Sequence, residues 1–290
     1  MLYGAIEAGG TKFILGIGDE QGNLLERLSI PTRSPEETTK EVVSFFTAYP
    51  LTSLGLGCFG PLELDKTSPR YGFITTTPKK QWMFFDILGT LKQQLGIPIA
   101  ISTDVGAAAL GEITYGAYPS QQTLLYLTIG TGVGGGFVIN GQIHNGMLHP
   151  EIGHIQINRQ PEDLHPANCR YHENCLEGLA AGPAIERRTG LPGDQVPDDH
   201  PVFPLISDYI GQALSTCILV LSPTKIVLGG GVMKRDFLFP LIRQSTLAHL
   251  NGYLETETLQ HIDTYIVPPS LGSHSGIMGC LAMARKAALK

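Results

Sequence analysis

The sequence predicts an α/β protein made of two similar halves that face each other across a cleft. Three observations carry this. Residues 2–8 are a short apolar run ending in Gly9-Gly10-Thr11-Lys12, and residues 124–129 are another ending in Gly130-Thr131-Gly132; a second apolar run follows each turn. Strand-length apolar segments then alternate with helix-length amphipathic ones in both halves. Finally, 290 residues are enough for two ordinary domains, and 42% hydrophobic against 16% charged residues describes a well-buried chain.

Taken in order, residues 2–8, 13–18 and 24–30 read as strands joined by tight turns, the second turn being Asp19-Glu20-Gln21-Gly22-Asn23. Pro35 and Glu36-Glu37 open an amphipathic helix to about residue 49, with Val42, Val43, Phe45 and Phe46 inward. Residues 54–59 form a buried strand that Gly60-Pro61 breaks, and a long loop runs to Trp82. A helix over 84–95 and a strand over 98–102 follow, and Thr103 or Asp104 begins a helix through 115. The first half thus reads βββαβαβα. The boundary falls near 117–122, giving domains 1–118 and 119–290.

The second half repeats the opening with strands over 124–129 and 134–139, and Asn140-Gly141 is a hairpin signal. A polar loop precedes a helix over 176–188, and 190–202 is a loop rich in Pro and Asp. An apolar helix over 204–221, a strand over 225–228 ending in Gly229-Gly230-Gly231, a helix over 237–250 and a strand over 262–267 come next. A terminal helix over 272–290 can pack back on the first half.

Composition excludes several functions. Net charge is −6 and no basic run exists, so nucleic acid is not an expected partner. The opening M-L-Y-G-A-I-E-A-G-G lacks a basic segment and a long apolar core, so it does not read as a signal peptide. No uninterrupted apolar run approaches membrane-spanning length, and no membrane partner is expected. Cys58, Cys217 and Cys280 lie in apolar surroundings and read as reduced core residues, which points to the cytoplasm.

The three glycine turns each follow a short apolar strand. Glycine lets backbone N–H groups approach an anion with no Cβ in the way. Thr11 and Thr131 add hydroxyl donors and Lys12 adds charge. Turns at the carboxyl ends of strands in an open α/β sheet are where ligands bind, so the set points to a nucleotide. None fits the spacing of a P-loop or a Rossmann fingerprint. Asp104 lies between a strand, I-A-I-S-T, and a helix, V-G-A-A-A-L-G-E. It reads either as a helix N-cap or as a carboxylate that the helix N-terminus keeps ionised, fit to be the base in phosphoryl transfer to a hydroxyl.

Residues 151–177 hold E-I-G-H-I-Q, a polar loop, then C-R-Y-H-E-N-C-L-E-G. His154, Cys169, His172 and Cys175 are four soft-metal ligands, the last three at C-x2-H-x2-C spacing. Four such ligands make a closed tetrahedral zinc site, whose work is structural. Glu151 and Glu177 bracket it.

A-G-G-T-K, T-D-V-G-A-A-A-L-G-E, G-T-G-V-G-G-G, H-P-E-I-G-H-I and C-x2-H-x2-C-L-E-G, in this order, resemble the ROK family of repressors, open reading frames and kinases, within the actin-like ATPase superfamily. The resemblance covers nearly the whole chain. I-E-A-G-G-T-K-F, T-T-T-P-K-K-Q-W and the Cys/His loop resemble the bacterial ROK fructokinases in particular. This implies two actin-like (ribonuclease H-like) α/β domains and an ATP-dependent kinase acting on D-fructose at the 6-hydroxyl. Asp104 would take the proton from the sugar hydroxyl. Glu151, His154 and Glu177 would hold sugar hydroxyls, with Gly60, Pro61 and Thr103 nearby. His154, Cys169, His172 and Cys175 would hold Zn²⁺. Gly10, Thr11, Lys12, Thr131 and Gly132 would meet the phosphates. Pro183, Gly229, Gly230, Gly231, Val232 and Met233 would line the adenosine pocket. Mg²⁺ would accompany ATP, and a homodimer is the family's common state.

Three residues depart from the pattern: Glu7 stands where many members have an Asp linked to magnesium, Thr103 where Asn is usual, and His172 where the loop commonly has Cys. They leave the chemistry in place and bear on the choice of sugar, glucose, mannose and N-acetylated hexosamines being the alternatives. The family's sugar-responsive repressors carry a helix-turn-helix ahead of the first strand, whereas here that strand begins at residue 2.

Overall fold

The first half of the chain alternates as its apolar pattern dictates. In the computed structural model, which describes residues 1–289, it forms β1 (Leu2–Ala8), β2 (Lys12–Gly18), β3 (Leu24–Pro31), α1 (Pro35–Phe46), β4 (Leu51–Cys58), α2 (Ile87–Leu95), β5 (Ile99–Thr103) and α3 (Asp104–Thr114). The second half forms β6 (Thr123–Ile129), β7 (Val133–Ile139), β8 (Gln142–Ile143), α4 (Leu176–Ala180), α5 (Gly182–Thr189), α6 (Val202–Leu221), β9 (Lys225–Gly229), α7 (Leu238–Leu250), α8 (Glu257–Gln260), α9 (Ile262–Tyr265), β10 (Ile266–Val267) and α10 (Ser275–Ala288).

Two five-stranded sheets result, of order β3-β2-β1-β4-β5 and β10-β9-β6-β7-β8. Read from the other edge, the second is 8-7-6-9-10, the first order with five added. The strand–glycine turn–strand repeat in the sequence is therefore a duplicated topology. In the first sheet β1 is antiparallel to β2 and parallel to β4, and β4 is parallel to β5. In the second, β9 is parallel to β6 and β10. Two compact units form. One comprises Met1–Gln122, Gly136–Pro150 and Ser270 onward; the other comprises Thr123–Gly135 and Glu151–Pro269.

Local chemistry sets the element ends. A capping box between Ser34 and Glu37, with Pro35 in the first turn, starts α1. Asn140 and Gly141 both have positive φ, 48° and 70°, the geometry of a two-residue hairpin turn between β7 and β8. Several expected boundaries move. The helix expected over 84–95 starts at Ile87, because Phe84 has φ 60° and Asp86 caps the Gly89 N–H at 2.7 Å. The helix expected over 176–188 is broken at Ala181: the Gly182 N–H turns away to the Gly130 carbonyl at 2.8 Å, and Pro183 restarts the helix as α5. Residues 262–265, expected as strand, close a helical turn fixed by the Tyr265 hydroxyl on the Pro223 carbonyl at 2.8 Å.

In the first unit the core lies under β1, β2 and β4 and is closed by Trp82, whose indole packs against Phe13, Phe59 and Phe85 and donates to the Arg33 carbonyl at 2.9 Å. On the other face α10 packs against α3 and β4 at backbone distance. A Cβ on Gly279 would lie 1.6 Å from the Ala107 carbonyl oxygen, and one on Gly55 1.9 Å from that of Cys280. Glu112, 0% exposed, fixes the start of α10. Its carboxylate accepts from the Ser270 N–H and hydroxyl, the Leu271 N–H and the Ser275 hydroxyl. The second unit is built on α6. This helix is long and apolar enough to cross a membrane, yet Ile206, Tyr209, Ile210, Ala213 and Leu214 are fully buried in its core.

Replacing Gly279 with Ala inserts a methyl where no space exists, so it should cost at least ~2 kcal/mol of stability. Urea denaturation measures this. A loss under about 0.5 kcal/mol would show that α3 and α10 can part without penalty.

Candidate functional site

The parallel strands of the first sheet end in register: Ala8 pairs with Cys58, and Cys58 with Thr103. The residues just beyond, Gly9-Gly10, Gly60-Pro61 and Asp104, therefore lie along one sheet edge, where α/β proteins place ligands. At the first turn the Gly9 N–H bonds the Lys12 carbonyl at 3.0 Å, and the Gly9 carbonyl accepts from the Thr32 hydroxyl at 2.8 Å. Thr11 and Lys12 are exposed. A second cation sits here: the Lys79 Cε lies 3.1 Å from where a Gly10 Cβ would be. Sequence reasoning missed it, although Lys79 belongs to the T-T-T-P-K-K-Q-W segment.

Gly60-Pro61, a cis peptide, is held from two sides. The Pro61 carbonyl accepts from the Thr75 N–H at 2.8 Å and its hydroxyl at 3.0 Å. The Leu62 N–H donates to His149 Nε2 at 3.1 Å. His149 is only 6% exposed, and burial pushes its pKa below the usual histidine value. Sequence reasoning did not single out His149.

Thr103, not Asp104, is the N-cap of α3: its hydroxyl accepts from the Gly106 N–H at 3.0 Å. Asp104 is the first helical residue, and its Oδ1 accepts from the Val105 N–H at 2.9 Å. The helix end is not the only influence on Asp104. Burial raises its pKa above the usual aspartate value, and the Val105 N–H only partly opposes this. Glu7 is pushed up to about 7, first by burial, then by the negative charge of Asp104, with Lys12 pulling the other way. Two buried carboxylates with raised pKa values, at one sheet edge, mark a candidate site for proton transfer.

In the second unit the ends of β6 and β9 lie side by side, with Thr128 paired to Gly229. Gly230, at φ 95°, has no room for a side chain, since a Cβ would lie 2.4 Å from the Ile129 carbonyl oxygen. Beyond these ends a cavity of 1070 Å³ opens, lined by Gly130, Thr131, Pro183, Gly231 and Val232. Of the other residues expected at the nucleotide, Gly132, Gly229, Gly230 and Met233 do not line it. Residues that sequence reasoning missed do: Phe203, Arg235 and Phe237, and Gly193, Asp194 and Asp198 from the Pro/Asp-rich loop. The only sequence signal was that loop's position before the apolar helix.

His154, Cys169, His172 and Cys175 converge, with one ligand atom of each within 4.8 Å of the others. Backbone pairing brings this about. The Ile157 N–H bonds the Asn174 carbonyl at 2.7 Å and the Leu176 N–H the Ile155 carbonyl at 3.1 Å, closing the loop at its neck. His154 ends a 3-10 turn begun after Glu151, and Cys175 caps α4 with its sulfur 3.4 Å from the Gly178 nitrogen. The Cys169 sulfur lies 3.8 Å from His154 Nδ1 and 3.7 Å from His172 Nδ1. Bond lengths at a tetrahedral zinc put sulfur and nitrogen ~3.6 Å apart, so the donor set fits that ion. Burial pushes the Cys175 thiol up to about 11, partly offset by the Gly178 N–H. Glu177 ties this loop to the second glycine turn: its Oε2 accepts from the Val133 N–H at 3.0 Å.

The chain matches the ROK family over residues 3–287. It is 50% identical over 290 residues to a fructokinase of Pediococcus pentosaceus, covering 100% of this chain and 99% of that one. It is 42% identical over 270 residues to a fructokinase of Lactococcus lactis, covering 93% and 91%. A solved ROK hexokinase from Thermus thermophilus superimposes with a TM-score of 0.80 at 26% identity, covering 99% and 98% of the two chains.

His149 accepts a proton donor only when neutral, and its folded pKa lies below the unfolded value. Its contribution to stability is therefore complete above about pH 6.5 and is lost as pH falls through the depressed folded value. The His149→Gln variant, whose side-chain carbonyl can still accept from Leu62, should lose less stability than the parent between about pH 7 and pH 5. Thermal melts across that range test it. Parallel pH curves for the two proteins would remove His149 as the titrating group.

Proposed function

The chain belongs to the ROK family, and on that premise we propose that it is an ATP-dependent hexose kinase that phosphorylates D-fructose at the 6-hydroxyl. The observation that carries this is full-length identity of 50% to a fructokinase. The geometry of each unit agrees with it. Asp104, with its pKa raised, is the base for the sugar hydroxyl; Gly60 and Pro61 at the same strand edge frame the sugar. Glu151, His154 and Glu177 hold sugar hydroxyls from the Cys/His loop. Thr103 spends its hydroxyl on the helix cap and bounds the sugar by shape. Thr131 and the glycine turn at 130–132 take the phosphates, while Pro183, Gly231 and Val232 face the nucleoside in the 1070 Å³ cavity. Gly10, Thr11 and Lys12, with Lys79, supply donors and charge for the transferring group.

Catalysis in this reading is positioning, charge neutralisation and one base. Mg²⁺ brought with ATP neutralises phosphate charge when bound. Glu7 is the carboxylate at the first sheet edge that would hold it, and oxygen ligands are what this ion takes. Zn²⁺ at His154, Cys169, His172 and Cys175 is structural. Both histidines turn Nδ1 inward, which leaves Nε2 of His154 for the sugar. We place the enzyme in the cytoplasm as a homodimer, the five free cysteines agreeing with a reducing compartment; light scattering reads the assembly.

Asp104→Asn should lower kcat by about 10³-fold or more, with fructose binding still measurable by calorimetry. Near-normal turnover would remove Asp104 from the role. Metal analysis should find one zinc per chain. Its removal by a chelator should raise the KM for fructose and expose residues 151–177 to protease; a metal-free protein with unchanged kinetics would dismiss the site.

A further inference from the structure

We propose that Arg235 is a positioning residue for the nucleoside, latching the 190–200 loop in place as one wall of the cavity. The inference rests on reading that cavity as the nucleotide site. The loop, L-P-G-D-Q-V-P-D-D-H after Gly190, buries only Val196 and is otherwise held by short-range bonds such as the Gln195 N–H on the Pro192 carbonyl. Arg235 adds bonds from outside it. Its Nη2 donates to the Gly193 carbonyl at 2.9 Å and the Val196 carbonyl at 2.8 Å, and its Nη1 pairs with the Asp198 carboxylate. The guanidinium also lies 4.7 Å from the centre of the Phe203 ring, which packs edge-on against Phe237 at 5.2 Å. One side chain thus gathers the loop, the aromatic floor and the segment just beyond Gly229-Gly230-Gly231. The arginine side chain is 19% exposed.

This arrangement also orients the ligand. Arg235 has its charge met by Asp198 and three of its N–H groups directed to Asp198, Gly193 and Val196, which weakens it as a phosphate ligand. Asp194 and Asp236 line the cavity beside Arg235 and outweigh Lys234 there, which disfavours phosphate, whereas the Thr131 hydroxyl lines it at the second glycine turn. The uncharged nucleoside therefore belongs at the Arg235 end, against Phe203 and Phe237.

The test compares Arg235→Gln and Arg235→Lys with the parent. Lysine keeps the charge but cannot fork to two carbonyls and a carboxylate. Both variants should raise the KM for ATP about tenfold, with the KM for fructose and kcat at saturating ATP within about twofold of the parent. ADP should slow protease cleavage within 190–200 in the parent and fail to do so in Arg235→Gln. If ADP gives the parent no protection, the cavity is not the nucleotide site and the inference falls with that reading. If the parent is protected yet either variant keeps the parental KM for ATP, the latch alone is overturned. A general loss of kcat and of fructose affinity would mark Arg235 as merely structural. Should Arg235→Gln not fold, Arg235→Lys decides by the same readouts.

Discussion

Backbone must come close to backbone at the strand ends of this protein, and that need shapes both units. Parallel strands bring their carboxyl ends level, and glycine turns at those ends keep Cβ atoms out of the way. The constraint acts in the packing as much as in the binding surface. Gly230 brings the end of β9 against Ile129, and the Gly182 N–H is drawn out of a helix to bond the Gly130 carbonyl. The break in the helix after α4 is thus a consequence of how the second glycine turn is braced.

Around these fixed turns the functional side chains are held from behind. His149 Nε2 and the Thr75 N–H and hydroxyl grip the backbone of Pro61 and Leu62. Glu177 reaches from the first turn of α4 to the Val133 N–H, so the Cys/His loop and the second glycine turn are tied together. The loop's neck is backbone pairing, and its tip is where the four soft ligands meet. A metal there would stiffen a segment that has few apolar contacts of its own.

Electrostatics follows from the same burial. Asp104 and Glu7 lie where sheet, α3 and α10 converge, and removal from water raises both pKa values before any partner acts. A helix N-terminus next to Asp104 softens that effect without reversing it. The helix end beside Asp104 is legible in the sequence and the desolvation is not, because the depth of a residue beside three packed elements is invisible in a linear chain. The close approach of α10, made possible by Gly55 and Gly279, is what creates that depth.

Sequence by itself determined the two-fold repeat of strand and glycine turn, the α/β class, the Cys/His quartet and the family. These are legible because they rest on local spacing: apolar runs of strand length, glycines at strand ends, ligands three residues apart. Tertiary structure alone decided which residues line the cavity beyond β6 and β9, bringing in Phe203, Arg235 and the 190–200 loop while leaving Met233 and Gly229 outside it. It also decided that Lys79 covers Gly10, that His149 holds Leu62, and that Thr103 rather than Asp104 caps α3. Each of these is a contact between segments far apart in the chain or a choice between adjacent caps. Such outcomes depend on where packing leaves room, and no pattern of neighbouring residues encodes that.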